Sequence, residues 1–447
     1  MRQGENGEKS ENGKNGENAE GWAEGRVGRR AVLRAAGASL AVAGLGATAT
    51  ACGGGSGSGG GTVTLRYSWW GAEDRAERIN KTIALFEEKY PKIKTDFQPY
   101  TDFWKKFNTQ ASGGNPPDVF QNAVGFLRKY DAKNILLDLS GQVEAGNLSM
   151  DGFRAGLEKF GEIDGKLLGV PVGSNSMALV IDKPVFTRAG VTPEQGWTWD
   201  DFDGAMAKVR DRTGRAGDSG MYGVMYLYDL YLRQNGKAFF TEDGLGFTEA
   251  DLTRWWTKAE KGVRSGLFAD PRKVSQIKPK AALSAELAGS EFTWDNFTVR
   301  YTSEGKSEYG LAPIPTTDGK RTGQYLGSLM LSASKRTRHP EEVARFIDFM
   351  VHDPEVAKIM GYDRGVPATQ AQYDAYQPTD PVNKAIAAYE ESLVDAGVLE
   401  PITPHPNGAD ICEAAFLRIA EELGLGKRSV ADAVKQFFTE SKTALAG

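Results

Sequence analysis

Apolar and polar residues follow two different periods at the start of the folded part of the chain. Apolar residues alternate with polar ones over 63–67, which predicts a β-strand that runs into the aromatic segment 68–71. Over 79–90 they recur every three or four positions, which predicts a helix that ends before Pro91. Alternation returns over 93–97. A strand, a helix and a strand in close succession predict a right-handed parallel unit.

The same two patterns continue along the chain. They predict a helix over 101–111, a buried strand over 118–122 and a strand over the apolar run 177–181. Asp164 and Gly165 form the dipeptide that is typical of a tight β-hairpin. Because strands alternate with helices throughout, the pattern predicts an α/β fold.

Helix boundaries are marked in the second half of the chain. Thr198 and Asp201 have the spacing of a capping box ahead of an amphipathic helix. The apolar run 326–332 predicts one further strand, and a strongly amphipathic helix opens at His339. From there to the C-terminal end the pattern is mainly helical.

A basic segment, an apolar segment and a small-residue exit precede the first predicted strand. Arg29 and Arg30 are followed by the small and apolar residues 35–51, which are rich in Ala and Gly. These are the parts of an export signal, and the apolar part has too few large apolar side chains for a membrane-spanning helix. The paired arginines resemble a twin-arginine signal. We therefore assign residues 1–51 to a disordered N-terminus and an export signal.

Cys52 ends this leader and is followed by Gly and Ser up to residue 61. The segment 49–52 resembles the box at which bacterial lipoproteins are cleaved and lipidated. A Gly/Ser run is typical of a flexible tether, so we predict that Cys52 carries lipid and that 52–61 links it to the folded part. The alternative is a small buried side chain. With lipid, the protein lies on the extracellular face of the cytoplasmic membrane, and Cys412 is a buried thiol without a disulfide partner.

Composition and charge argue against several classes of protein. The 447 residues are 40% hydrophobic, which is enough for a large core divided over two domains. The net charge of −5 lacks the basic excess of a nucleic-acid-binding protein. The three histidines do not have the spacing of a zinc site, and neither a nucleophile elbow nor a phosphate-binding loop opens a helix. The sequence therefore indicates a binding protein without metal or cofactor, and not an enzyme.

Tryptophan is the residue type that points to a ligand. Of nine tryptophans, all but Trp22 follow the leader. Trp70 follows a predicted strand and Trp294 ends an apolar run, and both have polar neighbours. The face of an indole can bury the C–H face of a sugar ring, and polar groups around it can bind the hydroxyls. The alternative is packing in the core, which fits Trp255 and Trp256 within a predicted helix.

Several short segments, in this order, resemble the family 1 extracellular solute-binding proteins of ABC importers, those akin to maltose-binding protein. The resemblance covers roughly residues 62–446. The segments that carry it are 65–70, 117–119, 169–171 followed by 177–183, 293–294, 312–315, and 327–334 followed by 340–344.

The resemblance implies a periplasmic-binding-protein-like fold, with two α/β lobes joined by a multi-strand hinge and a ligand cleft between them. It places the crossings between the lobes near 171–175, 311–315 and 362–367. It assigns residues 62–172 and 315–362 to lobe 1, and residues 173–314 and 363–447 to lobe 2.

The resemblance also implies which residues bind the ligand. Ring stacking is assigned to Trp70 and Trp294. Polar contacts are assigned to Glu73, Asn122, Asn175, Asp295, Gly327 and Arg364. Asp118 is a further candidate, with the alternative that it caps a turn.

The implied function is capture of a sugar, and an oligosaccharide in particular, by closure of the hinge. The protein would act as a monomer and deliver the unaltered sugar to the membrane subunits of an ABC permease. The alternatives are another small solute, such as glycerol phosphate, a polyamine or a short peptide, or a sensory lipoprotein. A secreted carbohydrate-active enzyme is the alternative from another class, and it would need two carboxylates flanking a glycosidic bond.

Overall fold

The computed structural model describes residues 61–70, 73–100, 102–154, 156–241, 244–278, 280–319, 324–327, 329–401 and 404–446. The predicted export signal, Cys52 and all but the last residue of the tether lie outside the described residues. Within the described residues, helices do not reach the length and hydrophobicity that crossing a membrane requires.

Strands and helices alternate along the chain, as the sequence pattern predicts. The strands are β1 (Val63–Trp70), β2 (Ile93–Tyr100), β3 (Val119–Ala123), β4 (Glu162–Ile163), β5 (Lys166–Leu167), β6 (Val170–Pro171), β7 (Gly173–Asp182), β8 (Phe240–Thr241), β9 (Gly244–Leu245), β10 (Ser290–Trp294), β11 (Tyr309–Ala312), β12 (Gln324–Gly327), β13 (Leu329–Ala333), β14 (Val366–Pro367) and β15 (Leu399–Pro401). The helices are α1 (Glu73–Lys89), α2 (Phe103–Ser112), α3 (Val124–Ala132), α4 (Ser140–Glu144), α5 (Lys183–Ala189), α6 (Trp199–Thr213), α7 (Met225–Gln234), α8 (Glu249–Arg264), α9 (Pro271–Ile277), α10 (Phe297–Glu304), α11 (Pro340–His352), α12 (Pro354–Met360), α13 (Gln370–Ala375), α14 (Pro381–Asp395), α15 (Ala409–Gly424) and α16 (Val430–Leu445).

Several local sequence motifs adopt the structures predicted for them. Asp164 and Gly165 have φ of 50° and 77°, the left-handed backbone that a tight hairpin between β4 and β5 requires. Thr198 and Asp201 form both hydrogen bonds of a capping box at the start of α6. Cys412 lies buried in α15, as predicted.

The first sheet has the strand order β2-β1-β3-β13-β6. β1 and β2 are parallel along their full length, which confirms the predicted parallel unit around α1. On this sheet the ring of Phe86 lies 5.0 Å from that of Phe346 in α11, and Tyr67 of β1 lies 5.1 Å from the same ring. This shared core holds α1 and α11 on the sheet, and we call the body that they form the first lobe.

The second sheet is built on β7. It has the order β10-β7-β12-β15, and β11 and β14 also pair with β7. Its helices enclose a core rich in aromatic rings, in which Trp199 and Trp255 lie 5.9 Å apart. Trp255 and Trp256 are buried, which confirms that they pack within the core. We call this body the second lobe.

The chain passes from the first sheet to the second between Pro171, the end of β6, and Gly173, the start of β7. This agrees with the predicted crossing near 171–175. The return lies later than predicted, because β12 still belongs to the second sheet and β13 belongs to the first. The chain therefore crosses between Gly327 and Leu329 and not near 311–315, and the predicted single strand over 326–332 is two strands on different sheets.

The segment after α12 joins both lobes. β14 pairs with the first residues of β7, but α13 then packs on α12 and α11 of the first lobe. α14 follows and packs on β11 and α10 of the second lobe. The lobe boundary assigned near residue 363 therefore falls in a segment that contacts both bodies.

The lobes also touch away from the shared strands. Lys129 of α3 forms an ion pair with Asp410 of α15. Gly125, in the first turn of α3, lies against the ring of His405. A Cβ built on this glycine would be 3.7 Å from Nδ1 of that ring. Outside the shared strands, the lobes thus have a polar contact and a ring contact through α3.

Candidate ligand site at the hinge

Several of the predicted site residues meet at the first half of β7. Asn175 pairs with Gly327 of β12, and Met177 pairs with Trp294 of β10. Asp295, directly after β10, donates its backbone N–H to the carbonyl of Ser176 at 2.9 Å. Strands that are distant in the sequence therefore place Asn175, Trp294, Asp295 and Gly327 side by side.

Arg364 is held against the same part of β7 by the glycine that follows it. Gly365 has φ of +97°, and a Cβ at this position would lie 2.2 Å from the carbonyl oxygen of Ser174. Only glycine permits this backbone conformation and this close approach. The side chain of Arg364 crosses to the first lobe, where Nη2 donates to the hydroxyl of Tyr67 at 2.8 Å.

Trp70 lies at the carboxyl end of β1, half-buried at the edge of the first lobe. The guanidinium carbon of Arg75 lies 5.4 Å from the centre of its ring, and Arg75 also donates to the backbone oxygen of Trp70 at 2.9 Å. Arg75 Nε in turn pairs with Asp363 at 2.6 Å. These contacts fix Trp70 beside the segment that carries Arg364.

Trp294 is half-buried at the end of β10 in the second lobe. Its ring lies 5.3 Å from that of Tyr226, at an angle of 59°. The ring of Tyr226 is also 6.2 Å from His405, whose pKa is lowered to about 4 by burial and by the charge of Arg233. His405 is therefore neutral near pH 7, and this wall of the site is aromatic.

Asp295 and Glu390 form a buried pair of carboxyl groups behind β7. The two oxygens of Asp295 accept from the backbone N–H of Ser176 at 3.0 Å and of Asn296 at 2.6 Å. Glu390 Oε2 accepts from the hydroxyl of Ser174 at 2.6 Å. Burial, together with the charge of Glu390, raises the pKa of Asp295 well above its ordinary value. Burial therefore favours the protonated form of this pair.

Buried polar atoms without a protein partner gather around these residues. A buried polar group without a hydrogen bond costs about 1–3 kcal/mol, so such groups are rare and each needs a reason. The atoms, none of which is given a hydrogen bond by the residues that the structure describes, are Asn175 Oδ1, Ser176 Oγ, Asn296 Oδ1, Thr298 Oγ1, Tyr362 OH and Arg364 Nε. They mark the start of β7 as a place where hydrogen-bonding capacity is left over.

Some predicted residues are engaged elsewhere. Asn122 is fully buried within the first sheet, where its amide donates to Ser332 Oγ at 3.0 Å and its oxygen accepts from the N–H of Ala123. Asp118 accepts from the backbone N–H of Arg66 at 2.9 Å, which fits its structural alternative. We leave both out of the ligand contacts proposed below.

The side chain of Glu73 lies outside the described residues, although its backbone opens α1 shortly after Trp70. Gly327 is described through its strand pairing with Asn175. Among the described residues, groups of three His, Cys, Asp or Glu that could hold a metal ion do not occur.

The sequence reasoning missed Glu390, Arg75 and Tyr226. A signal for Glu390 was present, because it lies on the same helical face as the apolar residues Ile386 and Leu393. A carboxylate in such a stripe indicates a buried partner. The partner itself comes from a distant strand and could not be identified from local spacing.

The carboxyl pair makes the stability of the hinge sensitive to pH. Because burial raises the pKa of Glu390 above its ordinary 4.5, the folded state binds a proton more tightly than the unfolded chain does. The stabilisation is complete below the unfolded pKa and is lost as pH rises through the raised value. We expect the free energy of unfolding, measured by urea denaturation between about pH 5 and pH 9, to decrease less steeply with pH in Glu390→Gln than in the wild type.

The control for this experiment is Asp218→Asn, which removes another buried carboxyl group with a pKa raised to about 7 by burial, in contact with Ser290 and away from the hinge. Both variants should flatten the stability profile, but only Glu390→Gln should change the pH dependence of ligand binding. An unchanged stability profile in Glu390→Gln would contradict a proton on the Asp295–Glu390 pair.

Comparisons with known proteins agree with this architecture. The family model described as bacterial extracellular solute-binding protein matches residues 68–356, more than half of the chain. The multiple sugar-binding protein of Streptococcus mutans is 22% identical over 330 residues, with 68% of this chain and 76% of that protein covered.

Two solved structures have the same fold. The extracellular solute-binding protein family 1 from Alicyclobacillus acidocaldarius is 24% identical, with 87% of this chain and 99% of that chain covered and a TM-score of 0.69. The periplasmic oligogalacturonide binding protein from Yersinia enterocolitica, in complex with saturated digalacturonic acid, is 19% identical, with 86% and 100% covered and a TM-score of 0.70. These likenesses confirm the predicted fold class. With two α/β sheets and a family match over more than half its length, the chain belongs to the bacterial extracellular solute-binding protein family.

Proposed function

We propose that this protein captures a sugar, and an oligosaccharide in particular, in the cleft at the hinge and passes it unaltered to an ABC permease. The observation that carries the proposal is the set of unpartnered polar atoms on and near the start of β7, the strand that pairs with the end of β10, where the half-buried Trp294 lies. A sugar presents hydroxyls that both donate and accept, together with C–H faces that suit an indole. The relative from Streptococcus mutans, named as a multiple sugar-binding protein, supports this class of ligand.

Capture would proceed by closure of the two lobes. Trp70 belongs to the first lobe, whereas Trp294 and Asn175 belong to the second, so a sugar bound to one lobe gains its remaining contacts only when the other approaches. Ligand binding then shifts the population toward the closed form, because that form has the larger number of contacts. A micromolar dissociation constant corresponds to about −8 kcal/mol, which stacked rings and a few hydrogen bonds can provide.

The proposal includes the cellular context that the leader suggests. Lipid on Cys52 would hold the protein on the extracellular face of the cytoplasmic membrane, and the permease would recognise the closed form. Export with and without substitution of Cys52 by Ala tests the anchor, because the Ala variant should appear in the medium instead of the membrane fraction.

Tryptophan fluorescence, titrated with mono- and oligosaccharides, tests the ligand class. The half-buried Trp70 and Trp294 should report a sugar by a saturable change in emission. Chromatography of the recovered sugar should find it intact, and cleavage would favour the carbohydrate-active enzyme instead. If no sugar binds while a charged solute such as a polyamine does, the proposal fails.

Replacement of Trp294 with Ala should weaken sugar binding by at least tenfold, because the ring face on the second lobe is removed. Isothermal titration calorimetry measures the change, and Trp294→Phe is the matched variant, since it keeps a smaller ring and should lose less affinity. Both variants should unfold at a similar temperature to the wild type. Unchanged affinity in Trp294→Ala would place this residue among the packing side chains.

A further inference from the structure

Arg364 is a buried cation whose charge is not matched. Arg364 is 8% exposed. Its side chain donates one hydrogen bond to an acceptor among the described residues, the hydroxyl of Tyr67. Its Nε is buried without a partner. A guanidinium has five N–H donors, and a buried charge without a counterion is destabilising. Among the described residues, none brings a carboxylate to within ion-pair distance of Arg364.

The carboxylates that lie nearby are committed to other groups. Asp363, the preceding residue, pairs with Arg75 Nε at 2.6 Å and also accepts from Arg75 through its backbone oxygen at 2.8 Å. Asp295 accepts from the backbone N–H groups of Ser176 and Asn296, and Glu390 accepts from the hydroxyl of Ser174. These groups therefore do not neutralise Arg364.

The other arginines near the hinge are already occupied. The guanidinium carbon of Arg154 lies 3.8 Å from the ring centre of Tyr373, and its Nη1 donates to the backbone oxygen of Pro367 at 3.4 Å. Arg75 is paired with Asp363. Among the guanidinium groups of Arg154, Arg75 and Arg364, that of Arg364 has a buried donor, Nε, that no described residue pairs.

Building on the proposed function, we propose that the sugar captured here is acidic and that its carboxylate pairs with Arg364. A planar guanidinium matches a planar carboxylate, and their charge-assisted hydrogen bonds are about twice as strong as neutral ones. A uronic acid combines this carboxylate with a ring face for Trp294 and hydroxyls for Asn175. A phosphate, with nearly two charges, would need more open cationic groups than the single one that the described residues provide.

The test compares the affinity of each acid with that of its uncharged methyl ester. Digalacturonic, galacturonic and glucuronic acids are titrated into the wild-type protein beside their methyl esters, by calorimetry at low salt. At least one acid should bind ten times or more tightly than its ester, and its affinity should fall as sodium chloride is added. The ester keeps the ring and the hydroxyls, so the difference isolates the charge.

The variants Arg364→Gln and Arg364→Lys test whether the preference for the acid over its ester depends on Arg364. The Gln variant should bind acid and ester with equal, weak affinity, and the Lys variant should recover part of the preference, because it keeps the charge but not the planar fork. Thermal unfolding and retained ester binding show that each variant is folded. If the Gln variant keeps the preference for the acid, or loses acid and ester equally, Arg364 is not the counterion and the inference fails.

The outcomes separate the two proposals. If a neutral oligosaccharide binds more tightly than every uronate, or if glycerol phosphate does, the acidic-sugar inference is overturned. Sugar binding itself survives the first of these results. If neither acids, esters nor neutral sugars bind to the folded protein, the proposed function fails together with this inference.

Discussion

Gly365→Ala should lower the stability of the protein strongly, although it adds only one methyl group at the hinge. The positive φ of +97° costs an alanine about 1–3 kcal/mol. The added Cβ would also lie 2.2 Å from the carbonyl oxygen of Ser174, so the backbone of β14 must move away from β7 at a further cost of about 1–3 kcal/mol. Urea denaturation should therefore find the free energy of unfolding lower by about 2–6 kcal/mol.

Gly146→Ala is the matched control for this change. Gly146 has a similar positive φ of +72°, but its Cβ would meet no atom within 4 Å, so the variant carries the backbone strain without the collision. It should lose only about 1 kcal/mol. Ligand affinity should fall in Gly365→Ala alone, since Arg364 and Asn175 lose their positions. Equal destabilisation of the two variants would show that the close approach of β14 to β7 does not matter.

Asp295→Ala should be destabilising for a different reason. It leaves the buried N–H groups of Ser176 and Asn296 without acceptors and removes the partner of Glu390. At about 1–3 kcal/mol for each unpartnered group, the expected loss is about 2–6 kcal/mol, measured by urea denaturation at pH 7. The end of β10 then loses its side-chain hydrogen bond to β7, and sugar affinity should fall because Trp294 is the preceding residue.

Asp138→Ala provides the comparison for Asp295→Ala. Asp138 also accepts from two backbone N–H groups, those of Ser140 at 3.0 Å and Leu167 at 3.2 Å, but it is exposed, so water can replace its oxygens. This variant should lose about 1 kcal/mol or less and bind sugar normally. If the two substitutions cost the same, burial does not give Asp295 its importance.

Much of the fold could be predicted because its signals are local. The capping box at Thr198 and the Asp164–Gly165 hairpin each specify their geometry within a few residues. The parallel unit of β1, α1 and β2 follows from periodicity and the handedness of crossovers. The assignment of β12 and β13 to different sheets could not be predicted, because periodicity does not show which sheet a strand joins.

The site was predicted less completely because its partners are distant in the sequence. Family resemblance placed Asn175, Trp294, Asp295 and Arg364 near one another, and β7 brings them together. It could not show that the amide of Asn122 is taken by Ser332 from a neighbouring strand. Nor could it show that Asp295 faces Glu390 of α14, because a buried carboxyl pair depends on the packing of a helix behind the sheet.

The pairing of strands with β7 fixes the arrangement of the proposed ligand-binding groups on the second lobe. β10 and β12 are both hydrogen-bonded to this one strand, so Trp294 and Asn175 keep fixed positions relative to each other. Trp70 is anchored instead in the opposite sheet. We therefore expect the second lobe to distinguish stereoisomers of the proposed sugar. The first lobe should contribute chiefly to the lifetime of the complex.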